Sequence, residues 1–178
     1  HRRSAAVTKY ELSLGFSEDN ANDITPYGEW YGMNGQPWCA MFVSWCAWQA
    51  GYMDENIPKY AYCPYGKSWF VQRNRYMPRN TGYIPHRGDV VFFWDGGEIS
   101  HTGIVVDSTS TVVTVIEGNA SRMVKKSMYD LTNTYIDGYG IFMVDYIPPL
   151  TTDEKEQYAK DAFWYLMDRQ SPNEQRAL

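Results

Sequence analysis

Cys39 follows Trp38 at the start of the apolar run Trp-Cys-Ala-Met-Phe-Val-Ser-Trp-Cys-Ala-Trp, directly after the breakers Gly35-Gln36-Pro37. This pattern sets a thiol in the first turn of a buried helix, where unpaired backbone N–H groups and the helix dipole favour an anion. The thiolate is the nucleophilic form of cysteine, and a helix N-terminus lowers a thiol's pKa. Downstream lie His101 in a strand-like setting, then Glu117 and Asn119. A nucleophile, a base and a group that orients the base are the minimum parts for acyl transfer.

The other candidates read differently. Cys46 stands two helical turns along the same run and reads as core packing, the usual fate of a buried cysteine. Cys63 lies in the loop-like stretch Tyr62-Cys63-Pro64-Tyr65, which suits either a buried or an exposed thiol. His86, between Pro85 and Arg87-Gly88-Asp89, is a rival base but reads as solvent-facing at a turn entering a strand. Taken singly, His101 is also explained as a half-buried polar residue and Glu117 as a strand-end charge. Only together do Cys39, His101 and Glu117 point to chemistry.

The elements that must position these residues follow from periodicity and punctuation. A short helix is expected over 4–14, stopped by Gly15, then a long Asn/Asp/Gly/Pro-rich loop over 16–36. The cysteine helix runs from Pro37 or Trp38 to Ala50, with Gly51 past its end. A further short helix is expected over 68–76, and loop over 78–85. Strands follow at 89–94, 101–106, 111–116, 122–129 and 140–145, joined by turn residues such as Asp95-Gly96-Gly97. Helices first and consecutive hairpin-linked strands afterwards imply an α+β fold with an antiparallel sheet. If the strands bearing His101 and Glu117 are neighbours, one end of the sheet presents both side chains. Glu117 then holds one imidazole nitrogen and leaves the other to Cys39. Beyond Pro148-Pro149, the capping box Thr151-Thr152-Asp153-Glu154 opens an extra C-terminal helix over 152–169. The division expected is a catalytic domain over 1–149 and a C-terminal helix over 150–178, either docked or leading into a further module.

Composition narrows the function classes. A chain of 178 residues can bury one core without disulfides or metal. Net charge of -5 argues against a nucleic-acid partner, which needs a basic face. No apolar run approaches a membrane span, and no signal-peptide core is present within the chain. Three cysteines without a C-x-x-C pair fit neither a disulfide scaffold nor a thiol-rich zinc site. The 15 Tyr and 7 Trp suit a groove for an extended ligand as well as a core.

Four blocks carry a resemblance. Asn34-Gly35-Gln36-Pro37-Trp38-Cys39-Ala40-Met41-Phe42-Val43-Ser44-Trp45 closely resembles the cysteine block of CHAP domains, the cysteine, histidine-dependent amidohydrolase/peptidases. Pro85-His86-Arg87-Gly88-Asp89-Val90-Val91-Phe92-Phe93 is similar to the family's Pro-x-x-Gly-Asp strand. Ser100-His101-Thr102-Gly103-Ile104-Val105 resembles its histidine block, and Ile116-Glu117-Gly118-Asn119 its acid block. The blocks fall in the family's order, and the likeness covers about residues 5–147.

The resemblance implies a papain-like fold with the cysteine helix against the sheet, and a peptidoglycan hydrolase with Cys39 as nucleophile. His101 becomes the general base and acid, Glu117 its orienting partner and Asn119 a further polar member. Gln36 is implied beside the oxyanion, as a glutamine serves in papain-like enzymes, although it could equally be a loop residue bonded to backbone. Trp38 is grouped with it as an oxyanion or substrate contact. The bond cut is either the N-acetylmuramoyl–L-alanine amide or a peptide bond of the wall. Alternatives are a non-catalytic wall-binding module and a papain-like amidase acting on a soluble peptide conjugate. Asp23-Ile24-Thr25-Pro26-Tyr27-Gly28-Glu29 lacks the Asp-x-Asp-Gly calcium spacing of some relatives, so no metal or cofactor is expected. The setting implied is the bacterial cell wall, reached by secretion, phage release or a mobile element. The protein is expected as a monomer or part of a larger modular one.

Overall fold

In the computed structural model of the chain, residues 2–18 and 22–143 are described. Four helices, α1 (Arg2–Ser13), α2 (Pro26–Tyr31), α3 (Cys39–Gln49) and α4 (Cys63–Gln72), precede most of the sheet. The strands are β1 (Tyr76–Pro78), β2 (Val90–Trp94), β3 (Ile99–Ser108), β4 (Val112–Ala120), β5 (Met123–Asp130) and β6 (Ile136–Gly140). They form one sheet in the order β1-β6-β2-β3-β4-β5, antiparallel at every pairing. This is the α+β architecture implied by helices followed by hairpin-linked strands.

Strand alternation divides the side chains between two faces. Val90, Phe92, Ile104, Val106 and Ile116 join the helices in the larger apolar core, with Ala40, Met41, Phe42 and Val43 of α3. Val91, Phe93, Val105, Val113, Val115, Ile136 and Tyr139 form a second cluster. α3 packs on β3 and β4. Gly118 makes the close approach possible: a Cβ there would lie 2.4 Å from Phe42 Cβ and 3.0 Å from the Trp38 ring. The cysteine helix therefore seats directly on the strand that carries Glu117. Gly51, at φ +76°, takes the left-handed conformation just past the helix end that its position predicted.

Several expectations are corrected. The stretch 16–36 is not all loop, because Thr25 caps α2 by accepting from Gly28 N–H and Pro26 occupies its first turn. α4 starts at Cys63 rather than Ser68, since Cys63-Pro64 is a helix start where proline's missing N–H costs nothing. Tyr76 accordingly belongs to β1, not to a helix. The last strand among the described residues lies at 136–140; of the strand expected at 140–145, residues 141–143 are not in a strand and 144–145 lie outside the described residues. Pairing with Tyr76–Pro78 and with β2 recruits the low-propensity segment Ile-Asp-Gly-Tyr-Gly. The helix expected at 152–169 lies outside the described residues. Among those residues, no helix is long and apolar enough to cross a membrane.

Overpacking at the α3–β4 contact sets a direct expectation. Gly118→Ala should lower unfolding stability by about 1–3 kcal/mol, read from urea midpoints. An unchanged midpoint would show that the helix and strand are not held against each other by this contact.

Candidate active site

Cys39 is the first residue of α3, and it is buried. Beneath the helix start, Trp38 stacks on Tyr27 with centroids 5.3 Å apart and meets Phe16 edge-on. Two buried carboxylates anchor that aromatic group. Glu18 accepts from Trp38 Nε1 and from the backbone N–H of Asp23, while Glu11 accepts from Tyr27 Oη and Trp45 Nε1. The loop before the cysteine is thus tied to the core, which fixes where the thiol emerges.

His101 and Glu117 stand on adjacent strands, β3 and β4, whose register aligns Ile104 with Ile116. Gly103 sits between them in the pleat; a Cβ there would lie 2.9 Å from Glu117 Cγ. His101 Nε2 lies 3.4 Å from Glu117 Oε1. Glu117 is 1 % exposed and accepts two further hydrogen bonds from β5, from Ser127 Oγ at 2.6 Å and Tyr129 Oη at 2.8 Å. A buried carboxylate needs such donors to remain charged. The imidazole also lies 5.5 Å from the Phe93 ring, centroid to centroid. With Nε2 engaged by Glu117, Nδ1 is left for the sulfur.

Cys39, His101, Glu117 and Asn119 line one open cleft of about 440 Å³, with Pro37, Ser100, Ser121, Lys125, Ser127, Tyr129 and Tyr135 among its walls. The electrostatics are those of a charged pair. A hydrogen bond from Cys63, opposed by burial and reinforced by His101 and the Ala40 N–H, holds the Cys39 thiol well below its ordinary pKa. Burial alone would lower the His101 pKa, but Cys39 and Glu117 together raise it to about 9. Burial opposes ionisation of Glu117, yet the hydrogen bonds from His101, Ser127 and Tyr129 keep its pKa below the usual value. Such a set can present a thiolate and a proton donor to an acyl group.

Cys63 is the residue that sequence reasoning left open. It opens α4, is buried, and places its Sγ 3.7 Å from that of Cys39. Its hydrogen bond to Cys39, then burial, push its own thiol up, which favours its protonated form beside Cys39. The signal in the sequence was Cys63-Pro64 as a helix start. Cys46 is fully buried, with its pKa raised by burial and by Glu11, and takes no part in the cleft.

The remaining expected site residues separate. Asn119 lines the cleft in a left-handed conformation, φ +57°, at an irregularity in the β4–β5 register, while the contact to the imidazole comes from Glu117. Gln36 is exposed and is not among the cleft-lining residues; Pro37 is. Trp38 is fully buried, so its ring is a platform under the helix and not the expected substrate contact. His86 is exposed, with Nδ1 3.0 Å from Tyr83 Oη, outside the cleft lining. Asp89 of the Pro-x-x-Gly-Asp block is buried and accepts from His86 N–H, Tyr83 Oη and Phe142 N–H, which fixes the entry to β2. Of the stretch from Asp23 to Glu29, Thr25 to Glu29 is taken up by the cap and first turn of α2. Among the described residues, no group of three or more His, Cys, Asp or Glu is placed to hold a metal ion.

The linked ionisations can be measured apart from any activity. A histidine pKa raised above its unfolded value stabilises the fold fully below about 6.5, and that contribution is lost as pH rises through about 9. In Cys39→Ala the two Cys39 contributions vanish, so the His101 titration followed by NMR should fall from about 9 toward the ordinary range. A His101 titration unmoved by the substitution would show that the sulfur and imidazole are not paired.

A family model of the CHAP domain matches residues 30–119, half of the chain. That span holds Cys39, Cys63, His101, Glu117 and Asn119. No curated protein matches the chain.

Proposed function

Because the chain belongs to the CHAP domain family, we propose that it cleaves an amide bond in the peptide part of peptidoglycan through an acyl-enzyme on Cys39. The family is one of peptidoglycan amidase and peptidase-type hydrolases acting on the cell wall. The observation that carries the finer reading is a helix-terminal cysteine sharing one cleft with a histidine whose far nitrogen meets a buried carboxylate.

In this reading the Cys39 thiolate attacks the amide carbonyl carbon. The developing oxyanion is met by backbone N–H groups at the α3 N-terminus, where the Cys39 N–H has no intrahelical partner. His101, protonated before attack, gives its proton to the leaving amine. It then takes a proton from the water that attacks the thioester, and Cys39 is released. Glu117 does not touch the substrate; it holds the ring and stabilises the imidazolium. The cleft walls supply polar groups and two tyrosine rings, Tyr129 and Tyr135, with Lys125 beside them, which suits a peptide carrying amides and carboxylates.

The test uses purified cell walls, with loss of turbidity for rate and mass analysis of released fragments for the bond. New termini at a lactyl–L-alanine junction identify an amidase, and termini within the peptide an endopeptidase. Cys39→Ala should leave no hydrolysis while still unfolding in one cooperative transition, with a midpoint shifted only by the loss of the Cys39–His101 pairing. Glu117→Gln should lower kcat on the order of 10–10³-fold, with little change in KM, and more than Asn119→Ala does. It should also move the basic limb of the pH profile below that of the wild type, since the carboxylate helps to keep His101 protonated. A near-normal Glu117→Gln beside an inactive Asn119→Ala would transfer the orienting role to Asn119.

A further inference from the structure

The proposed hydrolysis needs one thiol, yet the structure holds two in contact. Cys39 and Cys63 are both buried and free, with sulfurs 3.7 Å apart. A disulfide requires about 2.0 Å, so the two sulfurs have to move closer together for the bond to form. Each cysteine opens its own helix, and neither helix has an acidic residue in its first turn to oppose a sulfur anion. Cys46 supplies the contrast, a third cysteine fully buried within α3 and away from the cleft.

Both cysteines are nearly buried, Cys39 5 % and Cys63 6 % exposed, and they differ in what they face. Cys39 lines the cleft, whereas Cys63 is not among its walls and reaches Cys39 from the α4 side. A small oxidant entering the cleft therefore meets Cys39 first. This is the arrangement of a redox-sensing thiol with a resolving partner at hand.

We propose that Cys39 and Cys63 form a reversible disulfide on exposure to a hydroperoxide, so that Cys63 resolves the oxidised nucleophile and protects it from irreversible oxidation. In the first step the Cys39 thiolate attacks the terminal peroxide oxygen. An S–O bond forms, the O–O bond breaks, and the departing oxygen takes a proton to leave as an alcohol or water. In the second step the Cys63 sulfur attacks the Cys39 sulfenic sulfur. The S–S bond forms, the S–O bond breaks, and the hydroxide leaves as water with the Cys63 proton. Two thiols are oxidised and one peroxide is reduced. The hydrogen bond and charge that keep Cys63 protonated come first from the Cys39 thiolate, and they disappear once that sulfur carries oxygen. A thioltransfer reductant reverses the change.

The proposal rests on reading Cys39 as the reactive thiolate, and its test does not need wall hydrolysis. The full chain is treated with a several-fold molar excess of hydrogen peroxide, then followed by intact mass and a non-reducing peptide map. The expected product has lost two hydrogens and links the Cys39 peptide to the Cys63 peptide. Dithiothreitol should restore both thiols and, with them, the untreated rate of wall hydrolysis. In Cys63→Ser the same dose should instead add two or three oxygens to Cys39, giving a sulfinic or sulfonic acid, and dithiothreitol should fail to recover that variant's own starting rate. Oxygen adducts on wild-type Cys39 without the Cys39–Cys63 link, or a link to Cys46 in its place, would overturn the proposal. So would equal reductant recovery in Cys63→Ser. Should that variant not fold, the wild-type mass and map decide alone. A chain that forms the link but never cleaves walls would overturn the hydrolase reading and leave this one standing.

Discussion

Holding an ionised carboxylate out of water requires donors to replace its hydration, and the Glu117 carboxylate is held by three side chains from two strands. Ser127 and Tyr129 reach it from β5 and His101 from β3. Removing one partner from such a buried set leaves an uncompensated charge, which is costlier than never having made the pair. The strand register of β3, β4 and β5 is therefore tied to this group, since a one-residue slip would turn each of these side chains to the other face. The contact with Glu117 raises the His101 pKa, and Cys63 with His101 lowers that of Cys39.

The helix side of the site is set by contact rather than charge. Gly118 follows Glu117 directly and lets Phe42 and Trp38 come against β4. The same dipeptide thus presents a carboxylate to one face of the sheet and yields space to the cysteine helix on the other. Glu11 and Glu18 pin the aromatic rings below that helix, so the preceding loop cannot drift from the cleft.

Much of this was legible in the sequence, for identifiable reasons. The β-branched and aromatic runs at 89–94, 101–106 and 111–116 alternate or lie buried as strands do, and the order Cys39, His101, Glu117 matched a known family's blocks. What escaped depended on chain segments meeting in space. β6 is a strand only because β1 and β2 pair with it, and its glycines gave no local signal. α2 was signalled by Thr25-Pro26 and Gly32, but the polar composition around it outweighed those caps. The burial of Trp38 followed from Tyr27 and Phe16, one on that unread helix and one just after α1. The Cys39–Cys63 contact joins two helix starts, and spacing along the chain carries no trace of it.

The same contact that lowers the Cys39 pKa places a second sulfur beside it, so the proposed reactivity and the proposed protection rest on one geometry. The central claim is that Cys39 is a thiolate in the resting protein. The most direct measurement is the pH dependence of Cys39 alkylation by iodoacetamide, quantified by peptide mapping against Cys46 and Cys63. The rate at Cys39 should already be on its plateau well below the ordinary thiol range near 8.5, ahead of both other cysteines. A Cys39 rate that rises only through that ordinary range, in step with a free thiol, would contradict the account.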